Sequence, residues 1–281
     1  MNDCVEVKPL CEDKKFTVEK VLRVNKEDVA RSFSLAASTY DQVAALQRSV
    51  SEHLLTKIPQ RSFGNIIDLG CGTGVVSAQL TQRFPASSVF GLDIAEGMLE
   101  YARTRFSSSA LHWCCADAES LPLQDNSVDL IFSSLAVQWC ADFQQLCNEV
   151  IRVLKPGGSC VLATLGPNTL YELRSAWQQV DGYVHVNRFI DSKAVIDAAQ
   201  SAGFECEFWQ QDIIMRYPEL RQLTAELKAL GAHNVNRGRP KGLTGRQRIE
   251  KLKAGYEVFR DADGTLPASY DVYYLRLEKP L

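Results

Sequence analysis

Short apolar segments alternate along this chain with segments whose apolar residues recur every three to four positions. Two apolar segments run from Asn65 to Leu69 and from Val89 to Leu92, and three more follow in ALHWCCADAESLP, SVDLIFSSLAVQW and GGSCVLATLG. The short runs predict buried strands, and the periodic segments between them predict amphipathic helices. Strands and helices that alternate at this spacing indicate a parallel sheet covered by helices on both faces.

The amino-terminal part of the chain departs from this alternation. Residues 1–24 have mixed charge and no sustained period, which indicates a flexible extension. Residues 25–60 predict two helices, the first around residues 29–37, with the short polar residues from Ser38 to Asp41 suited to the start of the second. The second helix has an apolar face formed by Val43, Leu46, Val50 and Leu54.

The carboxyl-terminal part predicts two further strands, Cys206 to Tyr217 and Tyr270 to Leu277, which would close the sheet as an antiparallel pair. Two amphipathic helices are predicted between them, in residues 218–262. Their apolar faces comprise Leu220, Leu223, Leu227 and Leu230 in one, and Ile249, Leu252, Tyr256 and Phe259 in the other. Residues 25–281 are therefore expected to form one α/β domain with a helical insert.

Composition and the distribution of apolar residues indicate the cellular compartment of such a domain. The chain has 281 residues, of which 46% are hydrophobic, and a net charge of -3. It has no apolar run long enough to cross a bilayer and no hydrophobic secretory signal at its start, so we expect a cytosolic protein that does not bind membranes. Its nine cysteines are scattered, which favours reduced thiols. The spacing of His and Cys does not indicate a metal site.

Positive charge is concentrated in NRGRPKGLTGRQRIEKLK, residues 236–253. Arg248, Lys251 and Lys253 could form only the solvated face of a helix. The other basic residues lie in a Gly- and Pro-rich connection, where no helical face explains them, and these are Arg237, Arg239, Lys241 and Arg246. The acidic chain as a whole and the absence of aromatic residues from this segment argue against nucleic acid as its partner.

A glycine turn follows the first strand, in Asp68-Leu69-Gly70-Cys71-Gly72-Thr73-Gly74. Glycines let the backbone turn sharply and let a ligand approach closely, but this spacing fits the dinucleotide pattern G-x-G-x-x-G poorly. Acidic residues end the next two strands, at Asp93 and Asp117, and VLKPGG precedes the fifth strand. Together these motifs resemble the Rossmann-like, S-adenosylmethionine-dependent methyltransferases.

The resemblance implies a seven-stranded sheet, mostly parallel with an antiparallel last strand, and S-adenosylmethionine as cofactor. It implies that Asp68, Gly70 and Gly72 lie near the methionine part. Asp93 would accept hydrogen bonds from the ribose hydroxyls, and Asp117 with Ala118 would face the adenine. The further cofactor contacts implied are Tyr40, Cys71, Gly74, Ile94, Met98, Ser133 and Leu135. The alternatives are a helix cap at Asp93, a turn cap at Asp117 and core packing at Met98.

Substrate contacts are expected after the fourth strand, because loops at the carboxyl ends of parallel strands line the ligand crevice. Gln138 and Trp139 lie there. Tyr40 is a third candidate for the reacting centre, since a Tyr-Asp pair ahead of the first strand recurs in this family as part of a lid over the cofactor. No residue stands out as a general base, and a carboxylate substrate would need none because it is already ionised at neutral pH.

Two segments carry a narrower resemblance. RSFSLAASTYDQVAALQ (residues 31–47) and LGAHNVNRGRPKGLTGR (residues 230–246) resemble the malonyl-acyl carrier protein O-methyltransferases of biotin synthesis, with likeness over about residues 25–277. This implies esterification of the free carboxylate of a malonyl thioester, with acyl carrier protein as partner. The residues implied to contact substrate or carrier are Asn234, Arg237, Arg239, Lys241 and Arg246.

Two other functions remain open at the level of sequence. Enzymes that methylate a carbon atom of a quinone precursor share the core and the Tyr-Asp region, although they would favour an apolar entrance facing a membrane. A cofactor-binding protein that recruits partners without catalysis is the second. Methyl transfer to a malonyl thioester would exclude the latter.

Overall fold

The computed structural model of the chain describes residues 25–232 and 245–281. Its strands are β1 (Asn65–Leu69), β2 (Ser88–Asp93), β3 (Leu111–Cys115), β4 (Val128–Ser134), β5 (Leu154–Leu165), β6 (Glu205–Tyr217) and β7 (Leu266–Glu278). These seven strands form one sheet in the order β3-β2-β1-β4-β5-β7-β6. The extension predicted at residues 1–24 lies outside the described residues.

Helices cover the sheet and join most of its strands. They are α1 (Lys26–Val43), α2 (Ala45–Leu55), α3 (Val75–Arg83), α4 (Glu96–Arg105), α5 (Phe143–Val153), α6 (Tyr171–Gln178), α7 (Ser192–Ser201), α8 (Leu220–Ala229) and α9 (Arg246–Glu257). A short 3-10 helix, Val137–Trp139, follows β4. None of the described helices combines the length and hydropathy that crossing a membrane requires.

The strand directions confirm the predicted fold class. β7 runs antiparallel to both β5 and β6, whereas β1 to β5 pair in parallel. β1 lies between β2 and β4, so the chain leaves β1 toward one side of the sheet and later continues on the other side. Ligands of such sheets bind where the direction of winding changes, at the carboxyl ends of the strands. The turn after β1 occupies that position.

Two apolar layers hold the helices on the sheet. One face buries Leu54 of α2 and Leu80 of α3, and the other buries Val150 of α5 and Val195 of α7. The central strands are buried on both faces, with Ile66 and Ile131 each without solvent exposure. Strands covered on both faces need continuous apolar runs, which explains why these segments were recognisable in the sequence.

The predicted helix start at Ser38 to Asp41 is wrong, because these residues lie inside α1. The helix begins after Asn25, whose side chain accepts a hydrogen bond from the Glu27 amide at 3.0 Å, and the break before α2 falls at Ala44. The Thr39 hydroxyl donates to the Ala36 carbonyl at 3.1 Å, one turn earlier. The Thr39 hydroxyl also contacts the Ala229 carbonyl of α8, and Asp41 accepts from the Thr73 hydroxyl of the glycine turn, so these side chains serve tertiary contacts and not a cap.

Two further expectations need correction. VLKPGG does not end before the fifth strand, because β5 begins at Leu154 and accommodates the turn as an irregularity in its pairing with β4. In the insert, Leu252 and Tyr256 of α9 are buried against the core, but Ile249 is 40% exposed. Ile249 lies near the start of α9, outside the part of that helix that packs against α6.

Candidate active site

The glycine turn differs in its surroundings from one glycine to the next. Gly70 and Gly72 have φ angles of 73° and 52°, which favour glycine. A Cβ on Gly70 would overlap Ala136, so Gly70 permits close packing of the loop after β4. A Cβ on Gly72 would meet no atom within 4 Å. The absence of a side chain at Gly72 therefore leaves open space beside the backbone.

Asp93 joins this turn to the start of α4. Its Oδ2 accepts a hydrogen bond from the Gly72 amide and its Oδ1 accepts one from the Ala95 amide, each at 2.8 Å. Burial raises the pKa of the Asp93 carboxyl, and the amide groups of Ala95, Gly72 and Ile94 oppose that increase. Because each carboxylate oxygen can accept a second bond, Asp93 can serve as a cap and still bind two ligand hydroxyls.

A cavity opens beside this turn and is called the first cavity; its empty space, including the opening to solvent, is about 800 Å³. The predicted residues that line it are Tyr40, Gly70, Gly72, Asp93, Ile94, Met98, Asp117, Ala118, Leu135 and Trp139. These residues come from α1, from α4, from the ends of β1, β2 and β3 and from the loop after β4, so the fold brings distant sequence positions together.

Lys26 and Glu119 also line the first cavity, and neither was singled out in the sequence. Lys26 Nζ lies 2.5 Å from Asp117 Oδ2 and 2.5 Å from Glu119 Oε2. Burial would lower the Lys26 pKa, but its hydrogen bonds to Asp117 and Glu119 raise it overall. Glu119 in turn accepts from the Ala141 and Asp142 amides at 3.1 and 2.7 Å. The Asp-Ala-Glu spacing at 117–119 was the available signal.

Asp68 and Cys71 lie instead on a second cavity, together with Gln47, Arg48 and other residues of α2 and the glycine turn. Asp68 is 2% exposed and accepts a hydrogen bond from the Ser77 hydroxyl at 2.5 Å. Burial raises the Asp68 pKa to about 7, against the opposing hydrogen bond from Ser77. Asp68 therefore fastens α3 to the end of β1, whatever its contact with a ligand.

A third cavity, of about 590 Å³, lies between α1, α2, the loop after β4 and the insert. Gln138 and Trp139, predicted to contact substrate, both line it. Its wall also contains Leu135 and Leu170, which have positive φ angles of 50° and 53°. Non-glycine residues held in this conformation are uncommon and concentrate at functional sites. The described residues of this wall include no acid, lysine, arginine or histidine.

Tyr40 lines all three cavities. Burial, with the nearby charges of Asp93 and Asp41, raises its pKa far above the ordinary tyrosine value, so its hydroxyl stays protonated. Phe33 and Trp139 meet edge to face beside it, with ring centroids 5.4 Å apart, and both rings line the first and third cavities. Tyr40 can donate a hydrogen bond at this junction but cannot act as a base.

Some predicted residues lie away from these walls. Gly74 and Ser133 are not among the residues lining the three cavities. A Cβ on Gly74 would overlap Trp113, and the Ser133 hydroxyl donates to the Leu69 carbonyl at 2.7 Å. Both therefore have structural tasks. Ser134, the next residue, lines the first and second cavities, and its buried hydroxyl has no hydrogen-bond partner.

The basic segment is only partly described. Asn234, Arg237, Arg239 and Lys241 lie outside the described residues. Arg246 is exposed at the start of α9. Arg248 pairs with Asp181, and Lys253 lies 3.4 Å from Glu250 on the same helix. Thus Arg248 has a structural partner in the connection between α6 and α7, whereas Arg246 remains accessible to a partner molecule.

Comparison with known proteins gives consistent matches. The family described as a methyltransferase domain matches residues 67–162. A malonyl-[acyl-carrier protein] O-methyltransferase of Methylovorus sp. is 42% identical over 92% of this chain and 90% of its own. The biotin biosynthesis bifunctional protein BioHC of Cellvibrio japonicus is 52% identical over 92% of this chain and 51% of its own. The chain thus spans about half the length of that bifunctional relative.

A solved structure shares the fold at low identity. Phosphoethanolamine N-methyltransferase 2 of Haemonchus contortus, in complex with S-adenosyl-L-methionine, is 17% identical and superposes with a TM-score of 0.58. The alignment covers 88% of this chain and 57% of that chain. The sheet has the Rossmann-like methyltransferase fold, and the matching family and relatives place the chain in the S-adenosylmethionine-dependent class.

Sequence identity across nearly the whole chain narrows that class. The chain belongs to the malonyl-[acyl-carrier protein] O-methyltransferase family. The residues of the first cavity fit the cofactor of this class. Gly72 leaves open space, the Ser134 hydroxyl lacks a partner, and Asp93 retains a free acceptor position on each oxygen.

Proposed function

We propose that this chain methylates the free carboxylate of a malonyl thioester carried on acyl carrier protein, which gives the methyl ester that enters biotin synthesis. The observation that carries the proposal is the third cavity, which meets the first cavity at Tyr40 and Trp139 and has no basic or acidic side chain on its described wall. A reaction that began by removing a proton would need a base at this junction. A carboxylate, ionised at neutral pH, needs none.

Each residue around the junction then has a limited task. Asp93 would hold the ribose of the cofactor, and Gly70 and Gly72 would let its methionine part approach the backbone. When bound, S-adenosylmethionine supplies an electrophilic methyl group, and its transfer to a carboxylate oxygen leaves a thioether and a neutral ester without moving a proton. Tyr40 would donate a hydrogen bond, while Phe33 and Trp139 would exclude water and orient the acyl group.

The N-terminal helices and the insert complete this proposal. Residues 25–60 would form the lid over both cavities, and the basic insert in residues 218–262 would receive the carrier. Acyl carrier protein is acidic and its prosthetic arm carries a phosphate, so basic residues would steer its approach. The accessible Arg246, with Arg237, Arg239, Lys241 and Asn234, are the proposed contacts. We place the reaction in the cytoplasm.

The test is a mass-resolved methyl-transfer assay with S-adenosylmethionine and three acceptors: malonyl-acyl carrier protein, malonyl-coenzyme A and free malonate. We expect the carrier-bound malonyl group to gain one methyl group. Preference for the carrier over coenzyme A would support the basic docking surface. No transfer to any acceptor, by protein that binds the cofactor, would overturn the proposal and redirect the search to quinone precursors.

Charge reversal at Arg237 and Arg239 examines the docking part separately. It should raise the KM for malonyl-acyl carrier protein more than the KM for malonyl-coenzyme A, because both acceptors carry phosphate but only the carrier presents an extended acidic surface. The matched control is Lys193→Glu on α7, which reverses an exposed charge elsewhere on the domain. An unaltered KM for the carrier would indicate that the basic segment is a solvated surface that does not contact the carrier.

A further inference from the structure

Gln47 lies on α2 where the second and third cavities meet, and it lines both. Its amide oxygen is buried without a hydrogen-bond partner. Five buried side-chain polar atoms are unpaired in the described part of the chain, and those of Gln47, Ser134 and Gln138 line these cavities. Because buried polar groups are nearly always paired in folded proteins, their concentration here indicates ligand-binding positions.

The two glutamines differ in how freely their side-chain amides can rotate. Gln138 is oriented by its own amide, since Nε2 donates to the Leu135 carbonyl at 2.6 Å. This bond leaves Gln138 Oε1 as a fixed acceptor toward a ligand. The Gln47 amide makes no hydrogen bond with other described residues, so it can turn to present either its oxygen or its N–H groups. Of the two glutamines, only Gln47 can therefore become a donor without breaking an existing bond.

This difference decides which glutamine suits a negatively charged ligand. A carboxylate accepts hydrogen bonds and is repelled by a fixed carbonyl oxygen such as that of Gln138. We infer that Gln47 recognises the carboxylate of the acyl substrate by donating its amide N–H to a carboxylate oxygen, an inference that rests on the proposed function. Gln47 lines the third cavity as well as the second, so the carboxylate would lie at the edge of the third cavity nearest the glycine turn.

A neutral donor has a chemical advantage over a cation at this position. An arginine or lysine would draw negative charge from the attacking oxygen and would stabilise the charged substrate more than the transition state, in which that charge is being neutralised. An amide orients the oxygen while leaving most of its charge available for attack. It also binds the ester less strongly than the carboxylate, which favours product release. Gln47 is thus a specificity-determining residue for acids.

The test compares binding with and without a substrate carboxylate. Malonyl-acyl carrier protein and butyryl-acyl carrier protein are titrated by calorimetry into the full chain, saturated with S-adenosylhomocysteine. Gln47→Glu keeps the size of the side chain but adds a negative charge, and Gln47→Met removes the donor. The matched control is Gln200→Glu, on the exposed face of α7.

We expect Gln47→Glu to weaken binding of the malonyl carrier at least tenfold, since a buried like charge adds to the lost hydrogen bond. Gln47→Met should give a smaller loss in the same direction, of about threefold to tenfold. Butyryl carrier affinity should stay within about twofold for both variants, because the butyryl group has no carboxylate. Gln200→Glu should leave both carrier affinities unchanged.

The outcomes separate this inference from the proposed function. If wild-type protein methylates malonyl-acyl carrier protein and both Gln47 variants bind it as tightly as wild type, the role of Gln47 is overturned and the proposed function stands. The same conclusion follows if the variants lose malonyl and butyryl carriers in parallel. If wild type neither binds nor methylates the malonyl carrier, both the proposed function and the role of Gln47 are overturned.

Discussion

The first and third cavities are built in different ways. The first cavity holds ionic and backbone groups that already have partners, such as Asp93 between two amides and Lys26 between two carboxylates. The third cavity has an uncharged described wall whose glutamine oxygens lack partners. The polar groups named in the first cavity are therefore already held in place, whereas the third cavity has buried polar atoms that are free to bind a ligand. We interpret this as a rigid cofactor site beside a cavity whose polar atoms become paired when the acyl substrate binds.

The largest effect is expected at Asp68, a carboxyl buried at the end of β1 that lines the second cavity and neither of the two compared above. The Asp68 pKa is raised to about 7 by burial, whereas an unfolded aspartate titrates near ~3.9. Between these values the folded chain holds a proton that the unfolded chain releases, so this contribution to stability is complete below the unfolded pKa and is lost as pH rises through the folded pKa.

We expect wild type to lose up to about 4 kcal/mol of unfolding free energy relative to Asp68→Asn between about pH 4 and about pH 7. Denaturant unfolding across this range measures the difference. Asp129 is the control: partial burial would raise its pKa, but Lys155 and backbone amides lower it overall, so its contribution is lost toward acid. Parallel pH profiles for wild type and Asp68→Asn would show that Asp68 is not buried as a carboxyl.

Asp93→Ala should abolish cofactor binding in the first cavity without changing the residues that line the third. Two hydrogen bonds to a charged group, worth about 1.5 to 3 kcal/mol each, predict a loss of cofactor affinity of at least about 100-fold. Calorimetry with S-adenosylmethionine measures it, and circular dichroism checks the fold. Asp197→Ala, at an exposed site on α7, is the control. Unchanged affinity in a folded Asp93→Ala protein would leave Asp93 as a cap alone.

Gly72→Ala should distinguish two effects of an added side chain: backbone strain, which lowers stability, and obstruction of the cofactor, which lowers its affinity. Gly264 offers a matched control because its φ is 81° and a Cβ there would also meet no atom within 4 Å. Both substitutions should cost about 1 to 2 kcal/mol of stability from the left-handed conformation. Only Gly72→Ala should also weaken cofactor binding, by about tenfold. Equal cofactor affinity in the two variants would mean that the open space beside Gly72 is not a binding surface.

The smallest effect is expected at the outer edge of the insert. Arg246→Glu should raise the KM for malonyl-acyl carrier protein about twofold to fivefold at low ionic strength, and the effect should vanish at high salt because exposed charges are screened. Steady-state kinetics at two salt concentrations measure it. Lys193→Glu again provides the control. A change in KM that persists in high salt would indicate that Arg246 contacts substrate within a desolvated pocket.

The sequence anticipated the parts of the fold that depend on neighbouring residues. The buried strands from β1 to β5 were recognisable because continuous apolar runs suit strands covered on both faces. The glycine turn and Asp93 were recognisable because spacing within one strand-turn-helix unit survives folding unchanged. The site assignments of Asp93, Asp117 and Tyr40 stay predictions, although these side chains do line one cavity.

Contacts between distant segments could not be anticipated. Ser38 to Asp41 read locally as a helix start, but Thr39 donates to Ala229 of α8 and to its own helix, so α1 continues through them. Lys26 gained its importance from carboxylates more than ninety positions away. Gln47 had no local signal, because its unpaired amide becomes unusual only once α2 is packed over the sheet.

The sequence by itself determined the class of fold, the glycine turn and the identity of the groups available to hold a cofactor, because these follow from periodicity and short-range spacing. The tertiary structure alone decided which of those groups share a cavity, which polar atoms remain unpaired and where the third cavity meets the first. The physical reason is that burial and pairing are properties of the packed chain. A carboxyl acquires its shifted pKa, and an amide its free hydrogen-bonding positions, only from the neighbours that folding supplies.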